Sequence, residues 1–212
     1  SEVIRARPLD PHDPNHAHAV LDAIAEIVAR VGESAKTRLD PIVARVFDDE
    51  MDRIASDLVA WADEQLAVQD DFRAYRAELP FGLSPRDAVR IAGGYRLKGV
   101  IDAVETDAFG RLRVTDYKTG RAPDGRAVAV VRGGEMLQPI LYAMALEGLR
   151  GRAVPEHAIV TTARLYFATR RGGFETVEVP IAPDTVGRAM RVLDAIDGAI
   201  EKGVLLAAPR RE

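Results

Sequence analysis

The chain has no cysteine among its 212 residues. That removes disulfides, thiolate-built zinc sites and any iron–sulfur cluster held within it. A metal would have to be held by carboxylates, histidine, backbone carbonyls and water, a shell that suits Mg2+ or Mn2+. No apolar run approaches the roughly 18–20 residues that cross a bilayer, and the first residues do not read as a signal peptide. The expectation is a cytoplasmic protein with no membrane partner. A basic excess is missing too. Lys and Arg number 29 against 33 Asp and Glu, a formal charge of −4, which counts mildly against nucleic-acid binding unless the charge is polarised. Along the sequence it is polarised. Lys98, Arg111, Arg113, Lys118, Arg121, Arg126 and Arg132 cluster, whereas the stretch from Asp48 to Asp71 is acidic; a solvated surface accounts for the basic run equally well. Repeats and low-complexity segments are absent. So is a glycine-rich phosphate loop after a first strand: Gly93-Gly94 precedes a strand, the wrong order for a Rossmann-type sugar or nucleotide enzyme.

Against these absences stand clear periodic segments. After a proline-bearing arm over residues 1–15, Val20, Leu21, Ile24, Ile27, Val28 and Val31 recur at threes and fours, predicting an amphipathic helix over 18–31 that Gly32-Glu33 interrupts. A second helix is predicted over 42–68, with Val46, Ile54, Leu58, Trp61 and Leu66 on its apolar side. Pro41 opens it where a missing N–H costs nothing. A short apolar segment over 77–83 and a turn at Ser84-Pro85-Arg86-Asp87 follow. Strands are then expected at 89–92, 95–105 and 111–117, the last two joined by a turn at 106–110. On the third, Leu112, Val114 and Asp116 face one way and Arg113, Thr115 and Tyr117 the other. A polar loop leads to a helix over 135–149, with Pro139 tolerable in its first turn. Strands at 163–169 and 174–180, joined by Arg170-Arg171-Gly172-Gly173, precede a last helix over 183–202. The order implies an α/β layout with a mixed sheet flanked by helices, not a regular βαβ array. It divides into an N-terminal arm and helical region (1–77) and a core (78–212).

The chemistry gathers on the predicted hairpin. Asp102 ends Gly99-Val100-Ile101-Asp102 within an apolar strand, and Asp116-Tyr117-Lys118 closes its partner. Pairing of the two strands brings both carboxylates to one edge of the sheet, and Asp116 and Lys118, two apart, share a face. Two aspartates can hold a divalent cation against a phosphate oxygen, while a lysine orients or deprotonates water or neutralises the charge of a phosphorane-like transition state. An ordinary salt bridge between Asp116 and Lys118 is the competing reading, and for an isolated D-x-K the commoner one.

Three motifs occur in order: G-x-x-D at Gly99–Asp102, D-Y-K-T-G at Asp116–Gly120 and Q-x-x-x-Y at Gln138–Tyr142. Together they resemble the PD-(D/E)XK nuclease superfamily, and within it the RecB-like branch that includes the AddAB-type and CRISPR-adaptation nucleases. The match is carried by the stretch from Glu78 to Tyr142. The resemblance implies a restriction-endonuclease-like core with an N-terminal helical extension and a metal-dependent DNA nuclease with a helicase or helicase–nuclease partner in recombinational repair. It implies Asp102, Asp116 and the backbone carbonyl of Tyr117 as metal ligands, and Lys118 as the catalytic lysine. Gln138 and Tyr142, one helical turn apart, would face the site or the DNA backbone; a capped helix with a packed tyrosine is the alternative. Glu78 matches an acidic strand position of the branch and is either a neighbour of the site or an exposed strand carboxylate.

Two departures from the branch stand out. Its early-helix histidine normally follows a glycine. Here His18 is the better candidate for a metal ligand, with His12 and His16 nearby and Pro14 in place of the glycine; a surface histidine cluster is the alternative. The cysteine cluster that many relatives carry beyond a segment like Leu205–Pro209 is also missing, so the chain is either truncated or a member without the cluster. A nuclease-like module that has lost catalysis and binds DNA or a partner protein is the competing functional class. Intact Asp102, Asp116 and Lys118 argue against it.

Overall fold

The computed structural model describes residues 14–67, 70–84, 88–122 and 137–204. The chain opens with a helical hairpin, α1 (Pro14–Leu39) and α2 (Ala44–Ala67). The break expected at Gly32-Glu33 does not occur, and α1 continues for two further turns. Gly32 is buried, and a Cβ there would stand 3.0 Å from the methyl of Met51 on α2. The glycine therefore serves close approach of the two helices. Asp40, with φ 42°, and Pro41 end α1 instead.

Among the described residues seven strands follow: β1 (Arg73–Phe81), β2 (Val89–Arg90), β3 (Arg96–Leu97), β4 (Gly99–Thr106), β5 (Arg111–Lys118), β6 (Ile159–Phe167) and β7 (Thr176–Pro180). Helix α3 (Leu137–Glu147) lies between β5 and β6, and α4 (Pro183–Glu201) is the last helix among the described residues. Five strands form one mixed sheet in the order β1-β4-β5-β6-β7, with β5 and β6 parallel and every other pair antiparallel. The parallel pair needs a crossover, which α3 supplies. The expected strand from residue 95 is split at Lys98, because β2 and β3 pair with each other as a separate ribbon. β1 starts at Arg73, across the boundary drawn at 77/78, and β6 starts at Ile159. Ala74, Arg76 and Ala77 are exposed, as is Ile159, so neither strand end carries the apolar signal of a buried one. β1 is an edge strand with a register shift between Ala74 and Arg76, a left-handed Glu78 (φ 50°) and Pro80. The loop carrying Arg126 and Arg132 lies outside the described residues.

The sheet has two unlike faces. Leu112, Val114, Ala163, Leu165 and Val179 are buried on the face packed by α3, whose Ile140, Ala143 and Leu146 are fully covered. Against α3 lies α4, opened by Pro183 in its first turn. The other face carries buried ions. Arg113, 4% exposed, donates from Nε to Glu105 Oε2 at 2.7 Å and from its terminal nitrogen to Asp70 Oδ2 at 2.5 Å. Glu105 also accepts from Thr115 Oγ1 (2.6 Å) and from Arg164 (2.8 Å), and Phe72 lies beneath the Arg113 guanidinium. Helix α2 reaches this side through Gln65, which donates to the Tyr166 hydroxyl at 3.1 Å. Arg113 is thus a buried structural cation, not part of a free basic surface, and Arg111 is held by Asp107. The basic run of the sequence is partly internal.

Candidate active site

The hairpin turn is set by Asp107, whose Oδ1 accepts the amide hydrogens of Phe109 and Arg111 (both 2.9 Å), with Gly110 at φ 77°. This fixes the register of β4 against β5, which pairs Thr106 with Leu112 and runs to Ala103 opposite Thr115. Beyond that pair the Asp102 side chain takes over: its Oδ2 accepts the amide hydrogen of Tyr117 at 2.8 Å. Asp102 and the Asp116–Lys118 segment are thereby brought to one strand end, as the hairpin reading requires.

Asp116 is 2% exposed. Lys118 Nζ stands 2.5 Å from its buried Oδ2 as an ion pair, and no other group among the described residues makes a hydrogen bond to that oxygen. Burial pushes the Asp116 carboxyl above the ordinary carboxylate range; Lys118 opposes the shift and the charge of Asp102 adds to it. Two carboxylates, one buried and one half-buried, therefore share a single ammonium.

Lys118 is held from the other side by helix α3. Its Nζ donates to Gln138 Oε1 at 3.0 Å, and Gln138 Nε2 donates to the Tyr142 hydroxyl at 2.9 Å. The orientation of the amide is dictated by its neighbours, since only Oε1 can accept from an ammonium. The i, i+4 spacing anticipated from the sequence therefore gives a continuous chain Asp116–Lys118–Gln138–Tyr142. Tyr142 is anchored edge-to-face on Phe81 of β1, with ring centroids 5.9 Å apart. Gly99 lies under both rings, where a Cβ would come within 3.1 Å of Phe81 and 3.7 Å of Tyr142. That steric requirement explains the glycine of G-x-x-D.

The remaining sequence candidates are placed less centrally. Tyr117 sits between Asp116 and Lys118 with its amide already held by Asp102. Glu78 is exposed on β1, between the pairs Ala77–Ala103 and Leu79–Ile101 that flank Asp102. His18 is exposed on α1. Among the described residues no three His, Asp or Glu side chains stand close enough to hold a metal ion together, so the structure gathers two aspartates without His18. His12 and the side chain of His16 lie outside the described residues.

One element abuts the site that the sequence offered only as a connector. The β6–β7 turn docks on the end of β5: Ala168 N donates to Lys118 O (3.0 Å), and Thr169 Oγ1 donates to Thr119 O (3.3 Å). The paired glycines Gly172-Gly173 were the signal for it.

As donors, Asp102 and Asp116 are hard anionic oxygens, one of them buried and offset by a single ammonium. They fit a hard divalent cation better than a soft transition metal. A family model of the PD-(D/E)XK nuclease superfamily matches residues 2–204. Comparison with curated proteins finds no match.

Proposed function

The chain belongs to the PD-(D/E)XK nuclease superfamily, and from that premise we propose that it is a Mg2+- or Mn2+-dependent deoxyribonuclease. The observation that carries the reading is the convergence of Asp102, Asp116 and Lys118 at one strand end, with Gln138 and Tyr142 behind the lysine. Asp102 and Asp116, with the Tyr117 carbonyl as a further candidate donor, would hold the cation, and His18 stands apart from them. When bound, the cation supplies Lewis-acid polarisation of the scissile phosphate. Lys118 orients the attacking water and neutralises charge that grows on the phosphoryl oxygens. Gln138 fixes the ammonium by accepting its hydrogen bond, and Tyr142 fixes Gln138 by accepting from its amide nitrogen.

The finer assignment rests on the order of the three motifs. Their likeness to the RecB-like branch supports exonuclease action on single strands or duplex ends, in cytoplasmic recombinational repair beside a helicase. Among the described residues no helix is long and apolar enough to cross a membrane.

The test is cleavage of end-labelled single-stranded and duplex DNA with Mg2+, Mn2+ or EDTA, alongside Asp116→Ala and Lys118→Ala. Metal-dependent cutting abolished by both substitutions supports the enzyme. A second reading, an inactive module that binds DNA or a partner, draws on the Lys118–Asp116 ion pair, which sets an ammonium against the buried carboxylate. A folded chain that binds DNA but neither cuts nor takes up divalent metal in a titration would establish that reading instead.

A further inference from the structure

On β5 and β6 every cation has a carboxylate partner: Arg111 with Asp107, Arg113 with Glu105 and Asp70, Lys118 with Asp116, and Arg164 with Glu105. The pattern stops where the two strands end. Arg121, just past Gly120, and the adjacent Arg170 and Arg171 are exposed, and none has a side-chain ion pair among the described residues.

The turn that bears two of them is rigidly built. Thr169 Oγ1 accepts the amide hydrogen of Gly172 at 3.0 Å, and Gly173 takes the left-handed conformation at φ 68°. Gly172 has no room for a side chain: a Cβ would fall 2.7 Å from the Phe167 Cβ and 2.9 Å from the Gly120 carbonyl oxygen. The backbone of Arg170 is fixed as well, its N–H donating to Asp57 Oδ1 of α2 at 3.1 Å. This architecture uses the threonine, the glycines and the backbone, and asks nothing of the two arginine side chains. Adjacent like charges on one turn repel each other, and the carboxylate that stands there, Asp57, is engaged by the Arg170 amide and not by either guanidinium. Since β5 and β6 are parallel, with Lys118 beside Phe167, the turn stands at the same sheet end as Lys118.

We propose that Arg170 and Arg171, with Arg121 across Gly120, form a backbone-phosphate clamp that holds a nucleic-acid strand as it enters or leaves the site. The ligand class is the phosphodiester backbone, bound by charge and independently of base sequence. Guanidinium groups suit the task because each can offer two hydrogen bonds to one phosphate. The inference rests on the nuclease reading and adds to it a positioning device outside the metal and lysine constellation.

The test is binding of a fluorescently labelled single-stranded oligonucleotide in EDTA, across a salt series, for the full chain and for Arg170→Ala/Arg171→Ala. Arg45→Ala serves as the control, because Arg45 is an exposed cation of α2 that already faces Asp49. The clamp predicts a loss on the order of tenfold in affinity for each arginine removed. It also predicts that the slope of log K against log salt becomes shallower by about 1.4 in the double variant, roughly 0.7 for each single-strand phosphate released. Arg170→Lys/Arg171→Lys is expected to recover most of the slope, and Arg45→Ala to leave it unchanged. Equal effects from Arg45→Ala, or unchanged affinity and slope in the double alanine variant of a chain that cuts DNA, overturn the clamp and leave the nuclease reading standing. Absence of both binding and cutting in the unmodified chain removes the nuclease reading and the clamp with it.

Discussion

The carboxylate of Asp102 accepts the backbone amide hydrogen of Tyr117 at 2.8 Å, so one oxygen of a candidate metal ligand is also the fastener between β4 and β5. Structural and chemical duties can be separated by substitution. Asp102→Asn keeps an oxygen able to accept from Tyr117, whereas Asp102→Ala leaves the amide without that acceptor. We expect Asp102→Asn to melt within about 0.5 kcal/mol of the parent and Asp102→Ala to lose a further ~1 kcal/mol. Both should reduce DNA cleavage by at least about 100-fold. Parallel thermal melts and cleavage assays check this, and a stable, active Asp102→Ala would remove Asp102 from the site.

Asp116 is predicted to be a cost to stability. Its folded carboxyl titrates above its unfolded value, chiefly through burial, so the folded state binds that proton more tightly. The penalty is absent below the unfolded carboxylate range and grows as pH rises through the folded pKa. Asp116→Asn should therefore stabilise the fold at neutral pH, read as a raised Tm, while abolishing cleavage. The advantage should vanish in melts near pH 3. A variant destabilised at pH 7 would contradict the sign.

Adding Mg2+ or Mn2+ should bring a second positive charge to the Asp102–Asp116 pair, which shares one ammonium. A divalent ion at about one hundred times its dissociation constant is expected to raise stability by roughly 2.7 kcal/mol, read as a Tm shift reversed by EDTA. The shift should be lost in Asp102→Asn and Asp116→Asn, since each removes one of the paired anions.

The chain from Lys118 to Tyr142 predicts a graded series. Lys118→Ala should eliminate measurable cutting. Gln138→Ala, which frees the ammonium on one side, should lower kcat about tenfold or more, and Tyr142→Phe should act more mildly by loosening Gln138 alone. Single-turnover rates across pH check the order. If Gln138→Ala shifts the pH profile and Tyr142→Phe shifts it in the same direction by less, the relay is the cause; equal activity in all three would dissolve it.

On the opposite face, Arg113→Ala should cost about 3 kcal/mol, because it leaves the partly buried Asp70 with Arg164 alone at 3.7 Å and Glu105 with one guanidinium in place of two. Burial by itself would raise the Asp70 carboxyl, but the hydrogen bonds from Arg113 and the Phe72 amide, with the nearby charges of Arg113 and Arg164, hold it below the ordinary range. Its contribution to stability is therefore complete above the unfolded carboxylate pKa and is lost as pH falls through the folded one. Urea melts of the parent between pH 7 and 3 should show that loss, and Asp70→Asn should flatten it.

The hairpin and its residues were legible because a strand pair alternates with period two and its turn carries Asp107 and Gly110. The spacing of Gln138 and Tyr142 was legible for the same kind of reason. Other features depended on contacts that no local pattern encodes. Arg113 looked like a surface cation because Asp70, which meets it, lies 43 residues away. Gly32 looked like a helix break because the methionine it accommodates is on another helix. That Gln138 reaches Lys118 follows from how α3 crosses the sheet, and the docking of the Arg170–Gly173 turn follows from β6 running parallel to β5. His18 fits a motif by spacing, yet the fold does not gather it with the two aspartates.

The irregular first strand has a consequence for the protein in bulk. β1 forms an outer border of the sheet, where unpaired backbone groups would invite a strand from another molecule. Its shift between Ala74 and Arg76, the left-handed turn at Glu78 and the missing N–H of Pro80 interrupt any straight ladder three times within nine residues. Exposed arginines at 73 and 76 add mutual repulsion between copies. These interruptions make the border a poor template for edge-to-edge growth, so concentrated solutions of the folded chain should resist self-association into extended β-assemblies from this side.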